Sequence, residues 1–77
     1  MPKARWLIDG AAYEADTLAI LRRIFDEVWA SVAPDFGDDP EQIEEARIRL
    51  ATIVLALAKD HQLGPLEIAR TATRLIY

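Results

Sequence analysis

Cysteine is absent from this chain, so no disulfide braces it and no thiolate is on offer to a metal. His61 is the lone histidine, which excludes the usual Cys/His zinc tetrahedron as well. Glycine is scarce. Gly10, Gly37 and Gly64 each fall at an expected element boundary, and no glycine-rich phosphate loop can be drawn from them. Basic charge is short too: 9 Lys and Arg face 13 Asp and Glu, a net charge of −4. That acidic balance opposes nucleic-acid binding, which relies on a basic surface to release counterions, and opposes an anionic membrane surface. No apolar stretch approaches the roughly 18–20 residues of a membrane span, and the opening residues lack the apolar run of a signal peptide. These absences leave a cytoplasmic protein without metal or cofactor as the expectation, not associated with membranes.

What the chain does have is aliphatic bulk. It is 52% hydrophobic and 29% charged over 77 residues, a folded rather than disordered composition. Residues 50–58 read Leu-Ala-Thr-Ile-Val-Leu-Ala-Leu-Ala, without a charge between Arg49 and Lys59. A helix apolar all round must be covered on more than one side. A single small core supplies only about 3–5 kcal/mol, so small scaffolds usually add a staple. With disulfide and zinc excluded, self-association is the staple that remains.

Read in order, the chain predicts an N-terminal arm over 1–13, extended, with Trp6 packing onto the body ahead of the Asp9-Gly10 turn signal. Helix follows over 15–33: Leu18, Leu21, Phe25, Val28 and Val32 alternate spacings of three and four, the seam of a packed helix. Ile20 and Ile24 flank that seam on one side and Trp29 on the other. Pro34 ends the helix, since its ring disfavours helical geometry just before it. A second helix, 40–61, starts from Asp39 as N-cap, Pro40 at the first helical position and Gln42 in capping-box position. The acids clustered there suit the helix dipole. Its apolar residues resolve into two ridges roughly 130–150° apart on a wheel of 100° per residue. One holds Ile43, Ala46, Leu50, Ile53, Val54 and Leu57; the other holds Ile48, Ala51, Leu55 and Ala58. Gly64-Pro65 ends this helix and opens a third over 65–76.

Few residues invite chemistry. His61 is the only group that titrates near neutrality by default; catalysis would need an oriented carboxylate or nucleophile beside it, and Asp60 points about 100° away on a helix. It reads as a packed helix C-terminal histidine, and an enzyme built on it is disfavoured. The acidic stretch 35–41 could offer oxygen ligands to a hard cation, but capping and dipole compensation account for each acid. Residues 59–75 run helix, turn, helix, yet the third helix opens Pro65-Leu66-Glu67-Ile68, apolar and acidic where a recognition helix carries polar and basic residues. Arg70 and Arg74 form a small basic strip. The aromatics Trp6, Phe25, Trp29 and Phe36 read as core rather than as a ligand pocket.

Four stretches carry a family resemblance: Asp9-Gly10-Ala11-Ala12-Tyr13, Phe25-Asp26-Glu27-Val28-Trp29, Glu45 to Ala51, and Leu66 to Ala72. In these the chain resembles a group of short helical proteins common in alpha-proteobacteria that has no assigned activity. Where those relatives open the first helix with a Tyr-Asp-Pro-Glu-like cap, this chain has Tyr13-Glu14-Ala15-Asp16. The resemblance implies no site residues. The expectation is therefore an all-α, single-domain chain (1–77), not an enzyme: a helical hairpin, a shorter third helix packed across one end, and a second copy completing a dimeric bundle. Ile20, Ile24, Ile48 and Leu55 are the candidate dimer contacts. A protein-interaction or regulatory module is the leading function, its protein partner open, and a nucleic-acid-associated accessory factor is the alternative.

Overall fold

Two prolines and one aspartate set where the later helices begin. The computed structural model describes Ala4, Leu7, Ile8, Gly10, residues 13–60 and residues 62–77. Among them three helices run Ala15–Val32 (α1), Pro40–Ala58 (α2) and Pro65–Leu75 (α3), with no strand. Pro40 and Pro65 each sit in the first turn, where a missing N–H costs nothing. Asp39 caps α2, its Oδ1 accepting the Glu41 N–H at 3.0 Å. α1 has no side-chain cap; Glu14 is extended and its carbonyl accepts the Leu18 N–H at 2.9 Å.

The boundaries differ from expectation in three places. Pro34 does not break α1 sharply; the chain tightens into a 3-10 turn over Ala33–Phe36 with Pro34 in its first turn. Gly37 then reverses direction at φ 73° and ψ −155°, a region open essentially to glycine alone. α2 ends at Ala58, short of residue 61. Asp60 takes over the local hydrogen bonding: its Oδ1 accepts the Gln62 N–H at 2.9 Å and its carbonyl accepts the Leu63 N–H at 3.1 Å. At the other end, Ala4, Leu7 and Ile8 have helical backbone, with Ala4 and Ile8 buried in the core. The extended conformation expected of the arm is not found at these residues, and Trp6 lies outside the described ones.

α3 packs against both other helices. Its first turn lies beside residues 20–27 of α1 and its end beside the 33–36 turn, so it runs along α1 in the same direction instead of crossing one end. The core joins Leu21, Phe25 and Val28 of α1 with Leu50 and Val54 of α2 and Ile68 of α3. Among the described residues no polar or charged side chain is buried.

The two ridges of α2 require a correction. Ala51, on the second ridge with the candidate dimer contacts Ile48 and Leu55, is 0% exposed, and Leu55 and Ala58 pack against the core. Ala46, Leu50, Val54 and Ala51 form one broad buried arc where α2 packs against α1 and α3, while Ile48 stays half-buried.

Candidate interaction surface

Two of the exposed large apolar side chains, Ile20 and Leu66, border one cleft, whereas Leu7, Leu75 and Tyr77 are exposed elsewhere. An open cleft separates the middle of α1 from the first turn of α3, lined by Ile20, Ile24, Pro65, Leu66 and Ala69, with Arg23 and Glu27 along its rim. Ile24 is buried and belongs to the core beneath; Ile20 is 46% and Leu66 63% exposed. Local sequence explains both. Ile20 flanks the α1 seam, and Leu66 follows Pro65 at a position turned away from the buried Ile68-Ala72 face. On the rim, Arg23 Nε donates to Glu27 Oε1 at 3.3 Å, both side chains being well exposed.

The candidate contact residues thus separate. Ile20 and Ile24 share the cleft, one on its wall and one in its floor. Ile48 and Leu55 are half-buried on α2, outside the cleft, and Leu55 packs on its own core. In the sequence Leu66 stands out only as part of an apolar opening unsuited to a recognition helix. The signal that could have found it is a large apolar residue off the apolar face of an otherwise strongly amphipathic helix.

A second constellation gathers the aromatics. The Arg47 guanidinium lies 5.0 Å from the Phe25 ring centroid and 5.3 Å from that of Trp29, a cation–π arrangement that caps the α1–α2 seam. Trp29 stacks on Phe36 at 5.7 Å, and Phe36 on Tyr77 at 6.2 Å. The Tyr77 hydroxyl donates to Asp35 Oδ2. That hydrogen bond, with smaller contributions from burial and from the Asp35 charge, raises the Tyr77 pKa above its ordinary value. Phe25 is core as expected, whereas Trp29 and Phe36 are half-buried and join an outer stack. No local pattern announces it, since Asp35 and Tyr77 are 42 residues apart.

The remaining candidates resolve by placement. His61 lies outside the described residues, and its neighbour Asp60 is engaged in the turn. Within the acidic stretch Asp35 holds Tyr77 and Asp39 caps α2. Among the described residues no three His, Cys, Asp or Glu side chains converge as a metal site would need. Arg70, Thr73 and Arg74 border a shallow depression on α3. No described helix is long and apolar enough to cross a membrane. The chain matches no family model, no curated protein and no solved structure.

Proposed function

We propose that this chain is a non-enzymatic protein-interaction module that works as a homodimer in the cytoplasm. One observation carries the reading: Ile20 and Leu66 stand exposed on facing walls of an open apolar cleft. A core of this size usually leaves scattered single apolar residues at its surface; two large ones facing each other across a depression suit a partner better than water. The resemblance to the alpha-proteobacterial group adds no activity to this reading.

Sedimentation velocity at micromolar concentration tests it. A dimer is expected, and a single monomeric species across that range overturns the proposal. Leu55→Lys is a poor probe of the contact, because Leu55 packs on its own core and the substitution would destabilise each copy.

The basic strip on α3 favours one other reading, an accessory factor bound to nucleic acid through Arg70 and Arg74. Two arginines against a net charge of −4 make it the weaker one. Salt-dependent shift of mixed DNA or RNA by the intact protein would raise it above the dimer module.

A further inference from the structure

Resting on the homodimer reading, we infer that the second copy docks antiparallel on α1 across a two-fold axis, in a register fixed by Arg23 and Glu27. A contact between identical surfaces must be self-complementary: where one residue meets another, the reverse pair forms on the far side of the axis. The outer stripe of α1 meets that condition. Asp16, Ile20, Arg23, Glu27 and Ala30 are all exposed and follow one another at spacings of four and three, which places them along one face.

An axis passing midway between Arg23 and Glu27 sets Arg23 opposite Glu27 of the partner subunit, and the converse on the other side. Both contacts join opposite charges. The same register sets Ile20 opposite Ala30 of the partner subunit, an apolar side chain against a small exposed one. Charge and hydrophobicity therefore agree on a single register. Leu66, across the cleft from Ile20, is covered by the same end of the partner helix. Within one copy the Arg23–Glu27 pair is solvent-exposed and has its basic residue first, the weaker helical order. Its partners are thus easily exchanged for those of a second copy.

The experiment is a charge swap followed by sedimentation velocity. Arg23→Glu sets two acids against each other on both sides of the axis, and Glu27→Arg sets two bases. Each variant alone is expected to weaken the dimer by about tenfold or more. An equimolar mixture of R23E and E27R restores opposite charges at both contacts and is expected to form a heterodimer near wild-type affinity. The chain carrying both substitutions is expected to recover the homodimer. Both side chains are exposed, so circular dichroism should show unchanged helix in every variant. If wild type is dimeric but either swap leaves its affinity unchanged, or the mixture associates no better than its components, the α1 register is overturned while the dimer stands. A monomeric wild type overturns both readings and leaves the cleft to a partner of another kind.

Discussion

Gly37 and Gly64 differ in what they ask of the chain. Gly37 sits at positive φ, and a Cβ there would meet nothing within 4 Å, so any cost of substitution is conformational rather than steric. Gly37→Ala is expected to lose about 1–3 kcal/mol in urea unfolding. Gly64 is the N-cap of α3 at φ −81°, also with open space around it, a geometry any residue adopts. Gly64→Ser is expected to gain about 0.5–1 kcal/mol, from a side-chain cap and a less flexible unfolded chain. The sequence treats the two alike as boundary glycines; only the backbone angles separate them. Arg47 is the other residue whose role depends on geometry. Removing its guanidinium from Phe25 and Trp29 by Arg47→Ala should cost about 1 kcal/mol, a fall of roughly 4–8 °C in Tm for a domain of this size. No substitution pattern in a helical stretch reveals that an arginine lies over two rings of the neighbouring helix.

At the level of elements, legibility follows the range of the forces involved. The starts of α2 and α3 are readable because capping and proline act within one turn. The C-terminal end of α2 is not: helical periodicity continues through His61, and the Asp60 side chain wins by hydrogen-bonding the backbone two residues on. The burial of Ala51 is equally hidden, because it depends on how the other elements pack around α2 and not on α2 alone. The cleft was half legible, Ile20 and Ile24 being recognisable as surplus on α1 while Leu66 was not. The Tyr77–Asp35 contact ties the end of α3 to the turn after α1 and gives a pH-dependent expectation. The folded-state pKa of Tyr77 is raised, so its contribution is complete below the tyrosine's ordinary value of about 10 and is lost as pH climbs through the raised one. Tyr77→Phe should therefore be less stable than wild type at neutral pH, with the gap in thermal midpoint closing in strongly alkaline buffer. A constant gap across that range would show that the hydroxyl contributes nothing through its proton.

On the scale of the whole molecule, the radius of gyration of 11.8 Å is close to the roughly 11.5 Å expected of a compact chain of this length. Each copy closes its own core, and the interior of the described residues holds no buried polar side chain in need of a partner. In the proposed dimer, association would add to a fold that already exists, unlike an obligate dimer whose subunits have no stable monomer. R23E is expected to remain helical and to melt cooperatively as a monomer, which calorimetry at dilute concentration can read. Loss of the cooperative transition in that variant would mean that the core depends on its neighbour after all.

The clasp of Tyr77 on Asp35 and Phe36 also has a consequence in time. Helices joined by short connectors meet quickly, whereas a contact spanning much of the chain closes only after the intervening helices are in place. Tyr77→Phe should leave the refolding rate near that of wild type and accelerate unfolding, the kinetic signature of a fastening made last and released first.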